Sequence, residues 1–368
     1  MARAARFAVQ IGAVDAEGAS DATMYQEAVG DARLAQALGF DAVWLVEHHF
    51  SDYYPTPNPL LFLSHIAAAC PGLGLGTAVM VLPWYDPVRF AEDVSMLATL
   101  ATGELHIGMG RGTAKLEYDA MRVPMEEARS RFRECWEVMQ LALRGGPFTY
   151  AGRHIRLERP VTVRPVLTGR KPNFYGAIGS PDSAEIMGEL GLPPLSLSQF
   201  PDYLLVKILA RWRARAAACG HATDVTLPIS AKCFVGDTDV SAREEARHHL
   251  SRFYALQAEH YATDTTPWAD IKGYEQFARI FGNMKEMADP AKIDPILDRN
   301  LVGSPETVAR RINELRAIGF DYFIVSNATA GVPREARHRM MRRFAEEVVP
   351  LAASLPVPAA PAAVRAAE

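Results

Sequence analysis

The chain has 368 residues, 49% hydrophobic and 22% charged, a balance that belongs to ordinary globular proteins and excludes fibrous and disordered classes. Its formal net charge of -4 gives no field for a polyanionic partner, so no nucleic-acid role is expected. Cys70, Cys135, Cys219 and Cys233 form no C-x-x-C pair, which argues against a zinc or redox motif and fits a reduced, cytoplasmic setting.

The segment from Met1 to Phe7 is followed by too few apolar residues for a signal peptide. No stretch approaches the roughly 18 apolar residues that would cross a bilayer, so no membrane association is expected. Strand segments are predicted at Phe7–Ile11, Ala42–Val46, Leu73–Val81, Leu105–Gly108, Asn173–Ile178, Leu195–Leu197, Thr226–Val235 and Tyr322–Val325. Helical segments separate them, and alternation of this kind favours a parallel sheet covered by helices. Asp86-Pro87 reads as a cap and first residue before Phe90, Val94, Leu97 and Leu100; Ser304-Pro305 repeats the device before Val308, Ile312 and Leu315. Phe132, Trp136, Met139 and Leu143 mark another helix, and Met340, Met341, Phe344 and Val348 the last.

Gly39-Phe40-Asp41 and Gly319-Phe320-Asp321 each close a helix and open a strand, as repeated βα units would. Eight such units close into a (β/α)8 TIM barrel, here expected over residues 1–354, with the sixth strand the weakest. Thr149 to Arg164 reads as a hairpin excursion. Residues 236–300 exceed one βα connection and carry Trp268, Tyr274, Phe277, Phe281 and Met284, so a helical insertion is expected, either a lid or a surface elaboration. The Ala- and Pro-rich tail, 355–368, is expected to be disordered. The arginine runs Arg129, Arg131, Arg133 and Arg337, Arg339, Arg342, Arg343 read as solvated helix faces.

Reactive groups of a barrel collect at the C-terminal strand ends. The second strand ends in Glu47-His48-His49-Phe50. A metal site is the less favoured reading, because alternating strand residues cannot all converge on one ion; no metal is expected. His49 is open to a structural role beside a carboxylate, and His48 is the better catalytic candidate. Glycines around Arg111 allow a ligand close to the backbone and an arginine suited to phosphate, although a plain turn explains the motif equally well. Gly179-Ser180-Pro181-Asp182-Ser183 begins a helix, where Ser180 and Ser183 stand at the positive end; capping alone accounts for them without a ligand.

Taken together, these motifs resemble the bacterial luciferase family of flavin-dependent monooxygenases. The likeness runs from Gly39-Phe40-Asp41-Ala42-Val43-Trp44 through Glu47-His48-His49-Phe50, Leu75-Gly76-Thr77, Leu82-Pro83, Asp86-Pro87-Val88-Arg89 and Ala91-Glu92-Asp93 to Gly108-Met109-Gly110-Arg111-Gly112. It continues more weakly at Gly191-Leu192-Pro193 and over Gly303 to Val325.

The resemblance implies a barrel in which reduced FMN reacts with dioxygen, through a C4a-hydroperoxide, to oxygenate a small organic substrate. By position it implies a non-proline cis peptide at Ala78–Val79 beneath the flavin ring. It also assigns phosphate contacts to Arg111, Gly179, Ser180 and Ser183, with His48 as the active-site histidine. One barrel accounts for the chain, so reduced flavin is expected from a separate NAD(P)H reductase; a homodimer paired through the helices beside the second and third strands is expected too. Asp86, Glu104 and Gly179 depart from residues usual in the family and point to a different substrate. The alternatives are a deazaflavin-dependent hydride-transferring enzyme of the same barrel family and, further off, a metal-dependent hydrolase or a non-catalytic flavin-binding protein.

Overall fold

The computed structural model describes residues 3–14, 18–169, 171–262, 266–275 and 284–360. Eleven strands are found among them: β1 (Arg6–Gln10), β2 (Ala42–Leu45), β3 (Gly74–Val81), β4 (Leu105–Gly110), β5 (Phe148–Ala151), β6 (Arg156–Val161), β7 (Asn173–Ala177), β8 (Pro194–Leu197), β9 (Pro228–Val235), β10 (Leu301–Gly303) and β11 (Tyr322–Ser326). Eight of these, in the order β1-β2-β3-β4-β7-β8-β9-β11, pair in parallel, and β11 returns to β1 to close the barrel. The eight predicted strands are all present, within one or two residues at their ends. The sixth, β8, has only four residues, yet it pairs on both sides and completes the ring.

Helices α1 (Asp21–Ala37), α2 (Pro59–Ala69), α3 (Pro87–Leu100), α4 (Lys115–Met121), α5 (Ala128–Leu143), α6 (Pro181–Glu189), α7 (Asp202–Ala218) and α8 (Asp239–His260) follow the strands, and Pro305–Ile318 and Arg334–Arg343 continue the outer ring. The punctuation behaves as its chemistry dictates. Asp86 Oδ1 accepts from Arg89 N at 2.9 Å, Ser304 Oγ accepts from Thr307 N, and Gly319 ends its helix with φ +124°. Phe90, Val94 and Leu97 of α3 and Phe132, Trp136 and Met139 of α5 bury their stripes against the barrel. The hairpin appears as the antiparallel pair β5–β6.

Inside the barrel, Trp44, Tyr175, Leu195, Tyr322 and Ile324 pack as a separate cluster. Trp44 lies so close to β3 that a Cβ on Gly76 would sit 2.3 Å from its ring, so the glycine is a packing requirement. At the N-terminal ends of the strands, Glu104 Oε2 accepts from Arg6 at 2.8 Å and lies 3.4 Å from His106 Nε2. The departure at Glu104 therefore belongs to the floor of the barrel.

At the opposite end, a third cluster joins Tyr53, Tyr54 and Tyr118 to Phe253, Tyr254 and Tyr261 and to Trp268 and Tyr274. Of the described part of the 236–300 stretch, Phe253, Gln257 and Tyr261 reach the cavity at the barrel mouth. Trp268 and Tyr274 are buried; Phe277 and Phe281 lie outside the described residues, as does the side chain of Met284. The stretch leads into β10, a short strand absent from the sequence expectation, which extends β9 on its outer side. Of the tail, Leu355 to Ala360 is described: the Leu355 carbonyl accepts from Asn313 Nδ2 at 3.2 Å, and residues 361–368 lie outside the described residues.

One expectation is corrected. Arg337 is not on a solvated face but only 2% exposed, where its guanidinium donates to Asp31 at 3.0 Å and Glu27 at 2.9 Å. Both acids lie on α1, so the arginine joins the first helix to the last part of the ring. Burial of an arginine requires such paired carboxylates.

Candidate functional site

A cavity of about 340 Å³ opens at the C-terminal ends of the strands. His48, Ala78, Val79, Arg111, Gly179, Ser180 and Ser183, chosen from four separate stretches of sequence, all line it. The Ala78–Val79 peptide is cis, and the β3–β4 register shifts between Thr77 and Met80, so the strand bulges at the cavity wall. Gly110 faces this bulge: a Cβ there would approach Val79 to 2.7 Å.

Arg111 leaves β4 in a loop fixed by aromatic residues. The hydroxyl of Tyr118 donates to the Arg111 carbonyl, that of Tyr274 donates to the Gly112 carbonyl at 2.8 Å, and the guanidinium carbon lies 4.1 Å from the centre of the Tyr274 ring. Gly112 has φ +71°, a turn that L side chains rarely adopt. Burial lowers the Arg111 pKa from its ordinary value, yet arginine stays charged at any working pH. Across the same wall α6 begins with Ser180 and Ser183 in a capping box. Ser183 Oγ accepts from Gly179 N at 3.2 Å and from Ser180 N at 3.0 Å. Both N–H groups are turned to Ser183 Oγ, so an anion would share them with that hydroxyl; with the helix dipole, the two hydroxyls and an arginine in the loop after the adjoining strand they make a basin for one. The donor set fits a phosphate, and the apolar ledge of Ala78, Val79 and Val81 fits the edge of a planar ring.

His48 stands in a buried polar group. Its Nδ1 lies 3.3 Å from Glu117 Oε1, which also accepts from the His49 backbone N–H at 2.8 Å and lies 3.3 Å from His260 Nε2. Ser51 Oγ is 2.7 Å from the other nitrogen of His260. Burial lowers the His48 pKa below the ordinary 6.5, against the opposing pull of Glu117. Burial alone would raise the Glu117 carboxyl, but the hydrogen bonds of His260 and His48 outweigh it and hold it at about 2. Glu117 is therefore ionised beside the His48 ring. The ligating atoms of His48, Glu117 and His260 lie within 4.8 Å of one another. Glu117 Oε1 thus stands at the centre of the group, facing a ring nitrogen of each histidine and the His49 N–H.

His49 takes the structural role left open for it. Its Nε2 lies 3.0 Å from Glu47 Oε1, and Glu47 also accepts from Val81 N, Trp84 Nε1 and Tyr85 Oη. His48 and His49 point to different carboxylates, which removes the paired-histidine ligand reading.

Glu117, His260 and Lys232 were missed by sequence reasoning. Glu117 and His260 carry no local motif; they meet His48 only through α4 and α8. Lys232 did carry a signal, a lone cation in the apolar run Pro228–Val235, where a strand buried on both faces should have none.

A parallel eight-stranded barrel with a cavity at its C-terminal mouth belongs to the (β/α)8 class of ligand-binding proteins. Residues 6–322 match the luciferase-like monooxygenase family, and the chain belongs to that family. It is 35% identical over 153 residues to the uncharacterized protein y4vJ of Sinorhizobium fredii, covering 42% of this chain and 43% of that one. Over 163 residues it is 31% identical to the alkanal monooxygenase alpha chain of Photorhabdus luminescens, 44% of this chain and 45% of the relative. The matches to these first relatives thus span about half of their length or less. A longer match, 23% identical and covering 89% of both chains, is to the oxygenase component of flavin-dependent trigonelline monooxygenase from Acinetobacter baylyi. Among solved structures, monooxygenase RslO1 from Streptomyces bottropensis superposes with a TM-score of 0.79 at 26% identity, over 94% of this chain and 99% of its own. The FMN complex of the oxygenating constituent of 3,6-diketocamphane monooxygenase from Pseudomonas putida has the same fold, with a TM-score of 0.74 at 20% identity over 97% and 100% of the chains.

Proposed function

We propose that the protein is the oxygenase component of an FMN-dependent monooxygenase, taking reduced flavin from a separate NAD(P)H reductase and using dioxygen to oxygenate a small organic molecule. One observation carries the reading. Phosphate donors on β4 and at the start of α6, a ring ledge at Ala78–Val79 and a buried histidine share one cavity. Family membership and the oxygenase component among its relatives support it.

In this reading Arg111, the Gly179 and Ser180 N–H groups and the hydroxyls of Ser180 and Ser183 hold the FMN phosphate. Ala78 and Val79 support one face of the ring. Reduced FMN supplies the electrons that activate dioxygen. His48 takes or returns the proton that accompanies oxygen transfer, and Glu117 orients its ring and stabilises its charged form. Phe253, Gln257 and Tyr261, brought by residues 236–300, roof the cavity and limit water. The protein works in the cytoplasm as a homodimer: Leu61 on α2 and Met96 and Leu100 on α3 are 69%, 52% and 60% exposed, a patch suited to pairing of those helices.

The test is anaerobic titration of the full chain with reduced FMN and with a reduced deazaflavin cofactor. FMN is expected to bind the more tightly, and Arg111→Ala to weaken it about ten- to a hundredfold, as loss of a charge-assisted pair does. His48→Ala is expected to keep FMN affinity and lose oxygenation. Preferential deazaflavin binding, or FMN affinity indifferent to Arg111, would refute the assignment.

A further inference from the structure

Lys232 lies on β9, the seventh strand of the barrel, four strands from β3 in either direction round the ring. Its side chain therefore enters the cavity from the wall opposite the Ala78–Val79 ledge. Nζ donates to Tyr54 Oη at 3.1 Å and lies 4.1 Å from the centre of the Phe253 ring. Tyr54 gives its own proton to the Ala328 carbonyl at 2.6 Å, so its lone pairs are turned to the amine. Among the described residues no carboxylate pairs with Lys232. The two carboxylates lining the cavity are occupied, Glu47 by His49, Val81, Trp84 and Tyr85, and Glu117 by the two histidines and the His49 N–H. Gln10, Ser230 and Gln257, which also line the cavity, are neutral.

A half-buried cation set against aromatic rings without a counter-ion is costly, and a fold that keeps one has a use for the charge. We propose that Lys232 is the specificity residue of this cavity, its ammonium docking an oxyanion on an aromatic substrate whose ring packs against Tyr53, Tyr54 and Phe253. The proposal rests on the cavity's being the flavin site, with the ledge taken by the flavin and the far wall left to the substrate. Tyr54 is a positioning residue, aiming Nζ by the hydrogen bond it accepts. Burial also lowers the Lys232 amine from 10.5 to about 7, so an arriving anion would fix the proton there.

The experiment is calorimetric titration of the FMN-loaded full chain, and of the chain without FMN, with benzoate, 4-nitrophenolate and neutral benzamide. Benzoate or 4-nitrophenolate is expected to bind at least tenfold more tightly than benzamide; whichever anion shows the preference identifies a carboxylate or a phenolate as the source. Lys232→Met should abolish that preference and leave benzamide affinity unchanged, and Lys232→Arg should restore part of it. Anion preference that survives Lys232→Met overturns the proposal. So does a loss of reduced-FMN affinity in Lys232→Met with anion binding intact, which would assign the amine to the cofactor. Failure of the parent chain to bind FMN would instead strike the functional reading, while the titrations without FMN would still report on the amine.

Discussion

Replacing Lys232 with methionine should make the protein more stable, by an amount that depends on pH. The folded chain holds this amine at about 7, whereas the unfolded chain returns it to 10.5. Between those values the unfolded state binds the extra proton, so the parent's stability rises with pH; below 7 both states are charged and the full burial cost is present. Linkage puts that cost at about 5 kcal/mol at pH 6 and about 2 kcal/mol at pH 9, as upper estimates. The variant avoids it and gives up the hydrogen bond to Tyr54, worth about 1 kcal/mol. Its methionine fills nearly the same volume beside the Phe253 ring. Urea denaturation of parent and variant at both pH values measures the difference. A net gain of a few kcal/mol at pH 6, shrinking by more than half at pH 9, is expected. A variant no more stable at pH 6, or an equal gain at both, would show that the ammonium is solvated or neutralised in the folded chain.

Other expectations follow from the same geometry. Glu117→Gln removes a carboxylate that raises the His48 pKa, so the acid limb of the turnover profile should move to lower pH while FMN affinity is retained; an unmoved limb would separate Glu117 from proton transfer. Since the Glu117 carboxyl is held at about 2 against an ordinary 4.5, its stabilising contribution should be present above 4.5 and be lost as pH falls through 2, and acid titration of the parent beside the Gln variant would reveal it. Leu61→Glu with Met96→Glu places charges on the exposed patch of α2 and α3 and should shift a dimer to monomer in light scattering; a variant that still pairs would place the interface elsewhere.

Most of the barrel was legible because a buried parallel strand must be an uninterrupted apolar run and its helix must start and stop with particular residues. The Asp86-Pro87 and Ser304-Pro305 starts work through local hydrogen bonds that need only adjacent sequence. Arg111, Ser180 and Ser183 were legible as types of donor, but each had a plain structural explanation until the ring of strands put them on one wall. The His48 group was half hidden for the opposite reason. Glu117 and His260 are 69 and 212 positions away from His48, and only the packing of α4 and α8 over the mouth brings them together. Arg337 misled because a helical charge run reads as a solvated face, and nothing local announces that Asp31 and Glu27 wait on α1.

The two ends of the barrel divide its polar residues by purpose. On the floor, Arg6 and His106 face Glu104, His106 stacks on Trp44, and interactions from His106 and Arg6 hold the Glu104 carboxyl at about 2. At the mouth, the amine on β9 has no carboxylate partner among the described residues, and donor groups converge on a cavity. The same strands build both ends: β4 carries His106 into the floor network and, a few residues later, leads to Arg111 on the cavity wall. The same strands set a carboxylate beside the cation at one end and, among the described residues, none beside the amine at the other. An unneutralised Lys232 is therefore best explained by a charge that arrives with the ligand.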